Sequence, residues 1–155
     1  MTTTQDRYKD FKFLDPGVLI DDDIQLILKE TRPFDPENGF VPEYKFEMVH
    51  TRSNAVMGTI DLRVGLTDKL REFGGHIGYA VEERFRGNKY AARSCTLLMP
   101  LIHRLGINPI VITCSPGNIP SVKTIESLGG KLQITKEVEI EPQVLRKTSI
   151  YFWEV

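Results

Sequence analysis

Residues 74–132 read GGHIGYAVEERFRGNKYAARSCTLLMPLIHRLGINPIVITCSPGNIPSVKTIESLGGKL, and the order of apolar runs and breaks in this stretch decides the fold. The run HIGYAV, residues 76–81, is a short strand preceded by Gly74 and Gly75. It gives way to the polar segment EERFRGNK and then to a helix expected from about Lys89 to Leu105, with Gly106 as its stop. Pro100 removes one amide inside that helix and crowds the carbonyl of Thr96, so the spacing predicts a kink. PIVITCS, residues 109–115, is a buried strand by its β-branched content. A shorter helix follows from Asn118 to Leu128, closed by Gly129 and Gly130.

The flanks read less sharply. Tyr8 to Leu14 alternates loosely and is expected to be a first strand. Asp21, Asp22 and Asp23 precede IQLILKE, and acidic residues in that place favour a helix start. RPFDPENGFVP, with three prolines and a glycine, is a loop. Tyr44 to His50 and Ala55 to Val64 form an expected hairpin, and Thr67 to Phe73 a short helix. Two strands, near Leu132 to Ile140 and Arg146 to Val155, finish the chain. Strand, helix, strand and helix in the middle, with hairpin-like pairs on either side, give a mixed α/β (α+β) sheet with helices on its faces.

The bulk properties narrow the partners. A chain of 155 residues with 41% apolar content supports one domain, residues 1–155, with a single core. Its 20 basic and 21 acidic residues leave a net charge of −1, which gives no pull toward nucleic acid or an anionic membrane. The start, MTTTQDRYKDFKF, lacks the basic-then-apolar layout of an export signal, so a cytoplasmic location is expected. Cys95 and Cys114 sit in apolar stretches without ligand spacing and are expected to be buried free thiols; no metal site is expected.

The chemistry concentrates between Val81 and the long helix. Arg84, Arg86, Gly87, Asn88 and Lys89 stand where a strand turns into a helix. The first amides of a helix lack internal partners and carry the positive end of its dipole, so such a turn suits phosphate groups. Gly87 lets the backbone approach a ligand closely, and Asn88 suits the helix N-cap. An ordinary solvated basic turn has the same composition, and the flanking elements decide between the two.

Those flanks resemble the cofactor-binding core of the GNAT superfamily of N-acetyltransferases, over Gly74 to Leu132. The family signature (Arg or Gln, two residues, Gly, one residue, Gly or Ala) falls on Arg86, Gly87, Asn88, Lys89, Tyr90 and Ala91, with Lys89 where the family has glycine. A second register begins at Arg84 and uses Gly87 as that glycine, at the cost of a shorter spacing from the strand. The order DPENGFVP, TIDLR, GGHIGY also resembles a bacterial branch of acetyltransferases within the superfamily. The resemblance implies a twisted, mostly antiparallel sheet splayed at its centre. It implies acetyl-CoA as cosubstrate, no metal, an amine acceptor that is a small molecule or a peptide, and a possible homodimer. Tyr79, Ala80 and Val81 would line the pantetheine arm, Arg86 to Ala91 would hold the diphosphate, and Asn118 and Ser121 would flank the arm.

For catalysis, the candidates are Asp61, His76 and Glu82, with Glu72 just upstream; His76, whose ordinary pKa suits neutral pH, is the first choice of base, and Glu82 lies just past the strand. The family's usual acid, a tyrosine seven residues after the asparagine, is replaced by Ile125, which leaves Tyr79, Tyr90 or water. The acceptor pocket is expected from the first helix, the loop Phe34 to Pro42 and the last two strands. Asp35, Glu37, Asp61 and Glu72 would attract a cationic amine, and Phe40, Tyr44, Phe152 and Trp153 would form an apolar wall. An acyl-CoA-binding protein without catalysis, and a nucleotide- or nucleic-acid-binding module using the basic turn, are the alternatives.

Overall fold

Alternation along IQLILKETR buries Ile24 and Leu26 and leaves their neighbours half exposed, a period of two rather than 3.6. In the computed structural model, which describes residues 7–155, this segment is therefore a strand, not the expected helix. Leu19–Asp21 (β1) and Ile24–Arg32 (β2) pair antiparallel with Asp21 opposite Ile24, so Asp22 and Asp23 form a two-residue turn. Asp22 sits at φ 51°, a conformation that aspartate tolerates better than most residues. An aspartate run marks a turn as readily as a helix cap, and five apolar-rich residues are too few to tell the periods apart.

Glu43–His50 (β3), Val56–Arg63 (β4) and Ile77–Val81 (β5) complete a five-stranded sheet in sequential order, every pair antiparallel. The expected hairpin and loop are both present, the loop holding a single 3-10 turn at Pro36–Asn38. Tyr8 to Leu14 joins no strand. Its aromatic side chains lie against the sheet, with Phe13 edge-on to Tyr44, and the Leu14 amide donates to the Tyr44 hydroxyl rather than to a neighbouring strand.

Asp68–Glu72 (α1) is capped by the Thr67 hydroxyl. After β5, Tyr90–Leu97 (α2) and Met99–Leu105 (α3) replace the single long helix; the break falls at Leu98, two residues before Pro100, and Gly106 ends α3 at φ 70°. Ile110–Cys114 (β6), Ile119–Ser127 (α4), Lys131–Glu141 (β7) and Val144–Trp153 (β8) follow. β6, β8 and β7 form a separate antiparallel sheet with β8 in the middle. The core lies between the five-stranded sheet and the α2–α3 pair: Tyr44, Phe46, Ile60 and Leu62 meet Cys95, Leu98, Leu101 and Ile102. Burying each such side chain contributes about 1.5–3 kcal/mol. The α/β mixed class, with antiparallel sheets separated at the centre, stands as expected.

The two sheets meet just before β5, where the Gly74 amide donates to Thr113 Oγ1 at 2.9 Å. The His76 amide donates to the Val111 carbonyl at 2.8 Å, and the Val111 amide donates to His76 Nδ1 at 2.9 Å. Beyond this clasp β5 and β6 do not pair, and the gap between them stays open from Tyr79 to Val81. Gly75 makes the clasp possible: at φ 60°, a Cβ there would stand 2.3 Å from the Val111 carbonyl oxygen. Replacing it costs both left-handed strain and a backbone clash. Gly75→Ala is expected to lower the unfolding free energy by about 2–4 kcal/mol. Gly106→Ala, at φ 70° with nothing within 4 Å of the new Cβ, is expected to cost about 1 kcal/mol. Urea titration of both variants checks the difference; equal losses would contradict the clasp.

Candidate active site

The turn after β5 presents its backbone outward. Glu83–Phe85 forms a 3-10 turn, Gly87 takes φ 88° and Lys89 takes φ 61° and ψ 25°, acting as N-cap residue of α2 without a side-chain cap. Among the described residues, the amides of Gly87, Asn88, Lys89, Tyr90, Ala91 and Ala92 have no acceptor, and the first helical bond of α2 is Arg93 to the Lys89 carbonyl. Six free donors at a helix start form a nest for an anion. The side chains behave differently from expectation. Asn88 is not the N-cap; its Nδ2 donates to the Phe85 carbonyl at 3.0 Å, tightening the turn. Arg86 Nε donates to the Val81 carbonyl at 3.0 Å and ties the loop to the strand. Lys89 occupies the left-handed conformation that explains a glycine in the family pattern, at a cost of about 1–2 kcal/mol.

The β1–β2 turn bolts this loop in place. Tyr90, buried at the first position of α2, donates its hydroxyl to Asp23 Oδ2 at 2.7 Å. Arg93, one turn on, reaches Asp23 Oδ1 at 2.7 Å and the Asp21 carbonyl at 2.8 Å. The Tyr90 hydrogen bond, followed by Arg93, holds the Asp23 carboxyl below its ordinary value. These aspartates cap no helix of their own; they position the start of another.

Two cavities open from the gap between β5 and β6. One, of about 740 Å³, runs from Tyr79, Ala80 and Val81 along Phe85 to Ala91 and is closed by Asn118, Ile119, Pro120, Ser121, Lys123 and Thr124 of α4 and its cap. All the residues expected to hold the cofactor border it except Asn88, whose amide belongs to the same loop. Because the Glu82 amide donates to Met57 on β4, strand alternation turns the amides of Tyr79 and Val81 away from β4, into the gap. The other cavity, of about 330 Å³, is lined by Arg63, Phe73, Gly78, Ile112, Thr113, Cys114, Arg146 and Thr148. Tyr79, Asn118 and Ser121 border both.

At that junction the Tyr79 hydroxyl and Ser121 Oγ share a hydrogen bond of 2.7 Å. Burial pushes the Tyr79 phenol up to about 12. Asn118 caps α4 through its side chain, accepting from the Ser121 amide at 3.3 Å, and so fixes the Ser121 end of the pair. Ile125 is fully buried under Gly130 and faces the core.

His76 has 6% exposure, and its Nδ1 is occupied by the Val111 amide. Burial, reinforced by Arg71 and Arg63, lowers its pKa to about 4. A neutral imidazole that accepts at Nδ1 carries its proton on Nε2, so it has no lone pair left for an amine proton. Glu82 is exposed beside Arg84 and borders neither cavity. No carboxylate of the described residues lines either cavity. Asp35 binds Asn38, Glu72 pairs with Lys136 and Asp61 lies near Lys45 at 3.9 Å. Tyr44 and Trp153 are core residues, and Phe40 lies under the Arg32 guanidinium. Cys114 is half-buried on the cavity wall rather than in the core. Arg63, Arg146 and Lys123 were not legible as site residues, because each is a lone cation brought in by tertiary packing.

A separated strand pair beside a free-amide loop at a helix start suits a ligand with an anionic group and an extended arm. The acetyltransferase (GNAT) domain model matches residues 4–131, and the chain belongs to that family. It is an acetyl-CoA-dependent N-acetyltransferase whose acceptor is an amine. No curated protein sequence matches the chain. Solved structures share the fold. A Vibrio cholerae protein assigned as a ribosomal-protein-serine acetyltransferase aligns at a TM-score of 0.67 and 14% identity, over 92% of this chain and 100% of its own. The RimL ribosomal L7/L12 alpha-N-protein acetyltransferase in complex with coenzyme A aligns at 0.66 and 14%, over 90% and 98%. The microcin C7 self-immunity acetyltransferase MccE, in complex with acetyl-CoA and AMP, aligns at 0.58 and 20%, over 73% and 61%.

The depressed pKa of His76 has a consequence for stability. The folded state prefers the neutral ring, so its contribution is complete above the unfolded value near 6.5 and is lost as pH falls toward about 4. The unfolding free energy is expected to drop by about 3 kcal/mol from this group across that interval. His76→Asn, which keeps an acceptor for Val111, is expected to flatten that part of the curve in urea titrations between pH 4 and 7.

Proposed function

We propose that the protein acetylates the primary amine of a small molecule or peptide, with the diphosphate of acetyl-CoA on the loop amides from Gly87 to Ala91 and its pantetheine arm along Tyr79, Ala80 and Val81. The observation that carries this reading is the run of unpartnered amides whose residues Gly87, Lys89, Tyr90 and Ala91 border the 740 Å³ cavity. The cavity is large enough for a cofactor, and Arg86, Lys89 and Lys123 add positive charge along it. Asn118 and Ser121 flank the arm from α4. The free thiols Cys95 and Cys114 support a cytoplasmic setting.

Bound acetyl-CoA supplies a thioester whose carbonyl carbon accepts the amine. Amides of Tyr79 and Val81, turned into the gap, are placed to stabilise negative charge on the carbonyl oxygen. Tyr79 serves the departing sulfur. A phenol near 12 keeps its proton at every working pH and donates a hydrogen bond. Complete transfer to a thiolate of ordinary basicity runs uphill. Ser121 orients that phenol. With His76 committed to Val111 and no carboxylate on either wall, the amine proton leaves to water, so the amine must arrive substantially neutral. His76 is thus a positioning residue that fixes where β5 and β6 separate, and Glu82 takes no part.

Release of free thiol from acetyl-CoA in the presence of an amine tests the reading directly. Tyr79→Phe is expected to lower kcat about 10- to 100-fold, with the acetyl-CoA Kd changed less than about threefold. A Tyr79→Phe enzyme with normal kcat would remove the tyrosine from the mechanism. Lys89→Gly is expected to raise thermal stability, by relieving up to about 1 kcal/mol of backbone strain, and to retain acetyl-CoA binding; a drop in Tm would contradict the strain.

A further inference from the structure

The smaller cavity has a charge that acetyl transfer does not by itself require. Its only charged lining residues, among those described, are Arg63 and Arg146. Arg63 Nη1 donates to the carbonyls of Gly74 and Gly75 at 3.2 and 3.1 Å, which fixes the guanidinium, while its Nη2 has no acceptor among the described residues. The guanidinium lies over β5 at Gly78, where a Cβ would stand 4.0 Å from Nη1. Arg146, on β8, has its guanidinium carbon 6.0 Å from the Phe73 ring centroid and pairs with no described carboxylate. Of the acids on the adjoining elements, Glu43, 1% exposed, pairs with Arg32 at 2.5 Å, Glu72 with Lys136, and Asp61, two residues from Arg63 on β4, with Lys45 at 3.9 Å. The 3.8 Å approach of Glu43 Oε1 to Arg63 Nε leaves the Nη2 side of that guanidinium open.

We infer that the acceptor is a small primary amine that carries its own anionic group, a carboxylate or a phosphate, held by Arg146 and Arg63 while the amine faces the gap beside Tyr79. The inference rests on the acetyl-transfer reading above and specifies its substrate. Two guanidiniums in a cavity of about 330 Å³ repel a polycationic amine and complement an anion, which guanidinium binds in a forked geometry. With no carboxylate or imidazole base among the described residues lining the cavity, the amine must arrive neutral. In the reaction the amine nitrogen bonds to the acetyl carbon as the carbon–sulfur bond breaks. The nitrogen loses one proton to water, and the released thiolate takes one from solvent, so no other reactant is consumed.

The test compares matched amines in the thiol-release assay: glycine against glycinamide, O-phosphoethanolamine against ethanolamine, and spermidine as a polycation. At least one anionic member is expected to exceed its uncharged counterpart at least tenfold in kcat/KM, and which pair shows the difference distinguishes carboxylate from phosphate. Spermidine is expected to be the poorest substrate. Arg146→Gln, with its acetyl-CoA Kd measured as a check on folding, is expected to collapse the ratio within that pair toward one, mainly through KM. Ratios near or below one in both pairs, preference for spermidine, or an unchanged ratio in Arg146→Gln would overturn the inference. Absence of acetyl-CoA binding would instead overturn the reading beneath it, whereas tight binding with rapid spermidine acetylation would sink only this step.

Discussion

The reciprocal hydrogen bonds between His76 and Val111 are the constraint on which the site depends. With the Gly74 amide, which donates to Thr113 Oγ1 at 2.9 Å, they join the lead into β5 to β6, and from there β5 and β6 diverge. Their facing backbone groups would otherwise close into a ladder, and polar backbone left open toward a cavity is stable only if water or a ligand satisfies it. A thioester arm that can pair with a strand edge is the partner that such a gap suits. Holding the imidazole neutral serves the same end: an ionised ring would lose the lone pair that receives the Val111 amide. The histidine that looked most like a base is therefore part of the hinge that makes the cleft.

A second constraint fixes the other end of the cofactor site. The six free amides point one way only if the first turn of α2 is held still, and Asp23 does this through Tyr90 and Arg93. The Asp21–Asp23 pair at the tip of the β1–β2 hairpin thus supports the free-amide loop at the start of α2. Its charge would oppose a diphosphate; pairing with Arg93 offsets that field locally. Lys89 completes the loop in a left-handed conformation. The retained strain and the extra ammonium act in opposite directions, one against folding and one toward a phosphate.

The central elements were legible because each had a local cause. Gly106 and Gly129 end helices at positive φ, Pro100 breaks α2 from α3, Asn118 caps α4, and the β-branched run at residues 110–113 can only be buried. The strand-to-helix turn from Arg86 to Ala91 was legible for the same reason, since the strand, the glycine and the helix start are contiguous. The segment from Tyr8 to Thr31 was not. Asp21 to Asp23 followed by a short apolar run satisfies helix and hairpin rules equally, and only pairing with β3 decides. Tyr8 to Leu14 has the alternation of a strand but spends it on aromatic packing. Catalytic roles were least legible, because they depend on which atom of a side chain is already bonded. Nothing in the sequence reveals that Val111 occupies His76 Nδ1, that Ser121 meets Tyr79, or that Arg63 and Arg146 converge from strands 83 positions apart.

The central claim is that main-chain amides at the start of α2 hold a diphosphate and thereby place the thioester in the cleft. Calorimetric titration of acetyl-CoA beside acetyl-pantetheine, which has the same thioester and no phosphate, tests it most directly. The account predicts one saturable site for acetyl-CoA and binding of acetyl-pantetheine weaker by at least about a hundredfold, a difference of about 2.7 kcal/mol. Equal affinities for the two, or no saturable heat with acetyl-CoA at millimolar concentration, would contradict it.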